Sequence, residues 1–194
     1  MKAKVLIPGF ITIAGFTAVM FILWEQEFRH YLAIQDQSEL ELNTKLELEF
    51  LPESKPAYLH FFSEDCRQAI INIEHINQIA AQYPEEVSFF IINNSRVEAN
   101  ELKTKYNLHH KLEVIQDPKG TIAQKLNVSS TPYALISSDD QHLFFGGNYN
   151  NKNGLCGAGD IIWSSPAVAL RALMKNQQPP WFPSYQLDFR GCGT

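Results

Sequence analysis

Residues 56–83 change period partway along, and that change limits the folds open to the chain. Pro56-Ala57-Tyr58-Leu59-His60-Phe61-Phe62-Ser63 is a nearly continuous apolar run. It reads as a strand covered on both faces. Arg67 to Tyr83 then carries Ile70, Ile73, Ile76, Ile79 and Ala80 at three- and four-residue spacings. That is the core-facing stripe of an amphipathic helix. Cys66 stands on the turn between them. Further on, Ser130-Thr131-Pro132-Tyr133-Ala134-Leu135-Ile136 puts a proline at the mouth of another strand.

The pattern repeats along the chain. Lys45-Leu46-Glu47-Leu48-Glu49-Phe50 alternates charged and apolar side chains and predicts a half-exposed strand. Val87 to Ile92 predicts a strand covered on both faces. Ser95 and Glu98 have the spacing of a capping box for a helix over Val97 to Tyr106. Leu112 to Ile115 is a short strand, ended by the turn signal Asp117-Pro118-Lys119-Gly120. One or two helical turns follow over Thr121 to Leu126. Tyr133 to Ser137 and His142 to Phe145 predict a hairpin. Ser164-Ser165-Pro166 opens a last helix, with proline in its first turn. Gln177 to Thr194 is a tail without helical period. Strands alternating with helices, then a hairpin and a helix, predict a mixed α/β sheet.

The 194 residues suffice for one such domain and an anchor. Val5 to Trp24 is twenty residues without a charge, enough for a helix of roughly 30 Å across a hydrocarbon core. Lys2 and Lys4 precede it, so the positive-inside rule predicts a cytoplasmic N-terminus with the remainder outside. A cleaved leader is disfavoured by the length of the run and by the lack of a small-residue site after Trp24. The expected organisation is a cytoplasmic end at 1–4, an anchor at 5–24, a stalk at 25–44, a domain at 45–176 and a tail at 177–194. The net charge is −5, or −7 without Lys2 and Lys4, which argues against a nucleic-acid footprint.

Chemistry rests on three cysteines, Cys66, Cys156 and Cys192. In an extracytoplasmic domain one intramolecular disulfide can form, and three pairings are open. At a helix N-terminus the macrodipole favours the Cys66 thiolate by about 0.3–1 kcal/mol. Arg67 adds positive charge, whereas Glu64 and Asp65 oppose it if they face the sulfur. The hairpin after Pro132 should return its following Gly/Asn-rich loop, 146–159, to the Cys66 end. That nominates Cys156 as a resolving thiol. Cys192 is left to pair with Cys156, to pair with a partner or to stay free. Trp181, Phe182, Tyr185 and Phe189 could dock its tail. The bland alternatives are an inert Cys66, an ordinary proline opening a strand at 132, and a loop cysteine at 156. No C-x-x-C or H-E-x-x-H motif exists, and the glycines at 154–159 lack a following Lys-Ser/Thr. No metal and no cofactor are therefore expected.

The order of elements over residues 45–176 resembles the thioredoxin superfamily. Asp117-Pro118-Lys119-Gly120, Leu126-Asn127-Val128, Thr131-Pro132 and Asp140 to Gly146 resemble its TlpA-like and peroxiredoxin-like branches. Glu64-Asp65-Cys66 and Cys156-Gly157-Ala158-Gly159 are similar to features of bacterial thioredoxin-like proteins that carry one N-terminal membrane helix. The resemblance implies a three-layer mixed sheet with flanking helices, preceded by one transmembrane helix. It also implies a cis Thr131–Pro132 bond beside Cys66, with Thr131 pairing a bound peptide as an added strand.

Two points depart from the pattern. Ala69 stands where a second cysteine would be, and Leu59 replaces the proline expected of a peroxidase. Two readings follow. One is a membrane-anchored periplasmic protein of the bacterial inner membrane that exchanges thiols with protein substrates through Cys66, resolved by Cys156 or an external thiol. The other is a redox-inactive module that binds a protein partner or assists envelope assembly.

Overall fold

A computed structural model describes residues 15–22, 24, 41–149, 161–182 and 192–193. The chain divides into two compact units, 1–38 and 39–194. In the first, residues 15–22 and Trp24 are helical. Among the described residues no helix is long and apolar enough to cross a membrane. Most of the apolar segment 5–24, and the stalk up to residue 40, lie outside them.

The second unit is built on a five-stranded sheet. In chain order its elements are β1 (Ala57–Phe62), α1 (Arg67–Gln82), β2 (Ser88–Asn93), α2 (Ala99–Lys105), β3 (Leu112–Gln116), α3 (Thr121–Lys125), β4 (Ser130–Thr131), β5 (Tyr133–Ser137), β6 (Leu143–Gly147), a 3₁₀ turn (Ile161–Trp163), α4 (Ser165–Met174) and β7 (Cys192–Gly193). The sheet order is β3-β2-β1-β5-β6, and β4 pairs with β7 in a separate two-stranded sheet. β1, β2 and β3 are parallel, whereas β5 runs antiparallel to β1 and β6 to β5.

All six residues of β1 are buried because side chains of opposite parity enter different cores. Tyr58 and Phe62 join Ile73, Ile76 and Ile79 of α1 and Ala169 and Leu170 of α4. Leu59 and Phe61 meet Ala123 of α3, Leu126 and Val128 on the other face. Burying a phenylalanine this fully is worth roughly 1.5–3 kcal/mol over leaving it exposed. The result is the expected three-layer α/β sandwich.

Local departures have identifiable causes. Lys45 makes one bridge to His142 instead of starting a strand. Leu48 N–H and Leu51 N–H then bond back to Leu46 and Leu48, turning the chain so that Leu46 and Leu51 are buried. The buried face of α1 is rotated from the isoleucine stripe. It takes in Ala69, Asn72 and His75, while Ile70 is 37% exposed. Ser95 does not cap α2: its N–H and hydroxyl donate to Asn93 Oδ1 at 3.1 and 2.7 Å, and its Oγ accepts the Val97 N–H at 3.4 Å, two residues ahead of that helix. α2 starts only at Ala99. Asp117 does more than turn the chain. Its Oδ2 accepts the Ile122 and Ala123 N–H groups at 2.9 and 3.1 Å, capping α3 from outside. Gly120 at the α3 N-terminus has φ +65°, a conformation that costs glycine little.

Candidate functional site: a buried disulfide beside a cis-proline edge

The end of β1 and the start of α1 place Cys66. Ser63 carbonyl accepts the Cys66 N–H at 3.1 Å, and Cys66 carbonyl accepts the Ile70 N–H at 3.1 Å. Cys66 is thus the N-cap residue, in extended conformation, with its side chain fully buried. Thr131–Pro132 is a cis peptide. The Thr131 carbonyl oxygen lies 3.3 Å from Cys66 Sγ, so the cysteine turn and the proline loop meet across sixty-five residues of sequence. Thr131 and Pro132 are both buried.

Cys66 is disulfide-bonded to Cys192, with Cα atoms 5.7 Å apart. The tail arrives as a strand. β7 runs antiparallel to β4, with Cys192 opposite Thr131 and Gly193 opposite Ser130. Cys192 therefore takes the place beside Cys66 for which Cys156 was nominated. Cys156 lies outside the described residues. In the oxidised state the sulfur has no proton to donate to Thr131. On reduction the same carbonyl stands ready to accept the S–H.

Ala69 is buried in the core beneath Cys66, so a second thiol three residues on is replaced by packing. Glu64, the acidic neighbour expected to oppose a thiolate, is engaged elsewhere. Its carboxylate pairs with Lys105 and accepts a hydrogen bond from Tyr106 at 3.3 Å. Asp65 and Arg67 are exposed. Of the aromatic tail residues, Phe182 packs edge-on against Phe145 with ring centroids 5.7 Å apart, whereas Trp181 is 84% exposed. Tyr185 and Phe189 lie outside the described residues. Among the described residues no group of three or more His, Cys, Asp or Glu could hold a metal ion.

A second polar feature lies in the same core and was not anticipated. Tyr58 hydroxyl donates to Tyr149 hydroxyl at 2.7 Å, and Tyr149 hydroxyl lies 2.7 Å from His60 Nδ1. The Tyr149 proton then goes to Nδ1, which makes His60 the neutral Nε2–H tautomer. That Nε2 is buried without a hydrogen-bond partner among the described residues. Burial, reinforced by the neighbouring His75, lowers the His60 pKa from 6.5 to about 3. Burial also raises both tyrosines above their ordinary range. The network ties Tyr149 to the strand that leads into Cys66. A histidine inside an apolar run was the available signal.

This network makes stability acid-sensitive. As pH falls below 6.5 the unfolded chain protonates His60, while the folded domain resists until about pH 3. The folded state is therefore expected to lose about 2 kcal/mol between pH 7.5 and 5 from this group alone. Urea unfolding at the two pH values checks this. His60→Gln should flatten the slope, and an unchanged slope would contradict the assignment.

The chain matches no family model. It is 27% identical over 100 residues to a thioredoxin-like protein of Haemophilus influenzae, covering 52% of this chain and 58% of that protein. The match thus spans less than two thirds of that relative's length. A hypothetical protein of Sinorhizobium meliloti superposes with a TM-score of 0.65 at 16% identity, over 80% of this chain and 94% of that one. The solution structure of a thioredoxin-like protein in its oxidised form superposes with a TM-score of 0.51 at 12% identity, over 72% and 93% of the two chains. The structural likenesses bear on fold.

Proposed function

We propose, from a fold shared with a thioredoxin-like protein, that the chain is a thiol–disulfide exchange protein acting on protein substrates. Cys66 is the nucleophile and Cys192 the resolving thiol. The reduced Cys66 thiolate attacks a partner disulfide, forming a mixed disulfide and releasing one partner thiolate, which takes a proton. Cys192 thiolate then attacks Cys66 Sγ, releasing the second partner thiolate and closing the Cys66–Cys192 bond. The partner gains two electrons and two protons, and the Cys66/Cys192 pair loses them. An external dithiol of lower potential reverses the change for the next cycle.

One observation carries this reading: the only disulfide among the described residues joins the helix-capping Cys66 to a strand laid on the cis-proline loop. The N-terminal segment is proposed as a membrane anchor that holds the domain on the periplasmic side. Supporting this, Phe16, Val19, Met20, Phe21, Ile22 and Trp24 expose apolar surface on helical residues, which favours lipid over water.

The test is the redox state of the full chain, isolated with membranes and quenched in acid before alkylation. Cys66 and Cys192 are expected in one linked peptide, freed together by a dithiol, with Cys156 alkylated throughout. Recovery of a Cys66–Cys156 peptide, or a chain that stays in the soluble fraction, would contradict the corresponding part of the proposal.

A further inference from the structure

We propose that the segment around Cys192 is a built-in occupant of the partner-binding edge, so that tail and partner peptide exclude one another and resolution proceeds by strand displacement. The inference rests on the exchange reading above and adds what the site recognises and how it empties. β4 consists of Ser130 and Thr131 alone, and β7 is the strand paired with it. Backbone groups on so short an edge are satisfied by whichever chain lies alongside. In the oxidised protein that chain is Cys192–Gly193, with the cysteine opposite Thr131 and glycine opposite Ser130. The sulfur of the paired cysteine is then bonded to Cys66, which itself lies 3.3 Å from the Thr131 carbonyl.

A partner disulfide must present its sulfur to the same buried Cys66, beside the same carbonyl. The tail therefore displays the ligand class: an extended peptide, antiparallel to Ser130–Thr131, with its cysteine opposite Thr131 and a small residue after it. Two strands cannot occupy this edge together. In the mixed disulfide the partner holds the edge, and Cys192 reaches Cys66 Sγ only as the tail displaces the partner strand. Bond exchange and product release are one event. Covalent attachment gives the tail strand an effective concentration on the order of 1 mM. A free peptide at roughly 0.1 mM then competes at about a tenfold disadvantage.

The experiment uses the full chain, reduced, and two probes. One is a small aromatic disulfide. The other is a hexapeptide with the sequence of residues 189–194, its cysteine activated as a mixed disulfide with an aromatic thiol. All chains also carry Cys156→Ser, so release of that thiol reports attack by Cys66. The chains compared are Cys192→Ser, which keeps the tail without its thiol, and the same variant lacking residues 189–194. Removing the tail should speed reaction with the hexapeptide, by up to about tenfold at 0.1 mM probe. Should the shortened chain fail to fold, Cys192→Ser/Gly193→Pro takes its place, because proline removes a backbone donor from the strand. Equal rates with and without a competent tail, alongside normal reaction with the small disulfide, would overturn this inference alone. If neither probe reacts with Cys66, the exchange reading falls and this inference with it.

Discussion

Cys66→Ser is expected to reduce catalysed reduction of a protein disulfide to the uncatalysed background. Serine's hydroxyl is not a thiolate equivalent at neutral pH, and no other described cysteine caps a helix beside the Thr131 carbonyl. Cys192→Ser should behave differently. Attack by Cys66 survives, so a stoichiometric amount of partner reacts, but further turnover falls to the slower rate at which the external dithiol resolves the mixed disulfide. Cys156→Ser should retain wild-type turnover, because Cys192 already occupies the resolving position beside Cys66. A steady-state assay with a dithiol reductant separates the three outcomes. Loss of turnover in Cys156→Ser together with normal turnover in Cys192→Ser would reverse the assignment of the resolving thiol.

The second large effect is on stability. The Cys66–Cys192 bond closes a loop with a sequence separation of 126. In the chain-entropy model, opening a crosslink of that span returns about 4–5 kcal/mol of freedom to the unfolded state. For a unit of this size the reduced domain should melt about 10–20 °C below the oxidised one. The reduced domain should still fold, since the buried residues of its two cores come from β1, α1, α3, α4 and their neighbours, and the tail adds only the partly buried Phe182 and Cys192. Thermal unfolding with and without reductant checks both points. Superimposable curves would mean that the bond does not constrain the chain in solution.

The sequence carried the α/β fold and the meeting of the cysteine turn with the proline loop. The period change around Cys66 and the Thr131-Pro132 context have strong local causes, namely a covered strand, a helix start and a turn. They placed the cysteine turn and the proline loop on elements that meet in three dimensions. Ile70 shows the limit of periodicity. An isoleucine stripe sets the helix face only to within one row of side chains, and α1 settles with Ala69, Asn72 and His75 inward. Ser95 and Glu98 had the right spacing for a cap, but the Ser95 oxygen accepts from Val97 in the turn and the helix starts later, at Ala99.

Cys192 was illegible for a different reason. It joins the site through a two-residue strand, too short to leave a period, and through a bond spanning most of the domain. Cys156 had the better local argument, since its loop follows the hairpin. The His60 network likewise depends on Tyr149, eighty-nine residues away. Pairings of that range are fixed by tertiary packing, not by neighbours in sequence.

Capture of the mixed disulfide tests the central claim most directly. Reduced Cys192→Ser chain, exposed to envelope proteins or to a model disulfide protein, should accumulate high-mass adducts that reductant dissolves. Peptide mapping should place the link on Cys66. With Cys156→Ser in every chain, the Cys66→Ser/Cys192→Ser double variant should form none. Absence of adducts from Cys192→Ser, or adducts that persist in the double variant, would contradict an exchange reaction carried by Cys66 and resolved by Cys192.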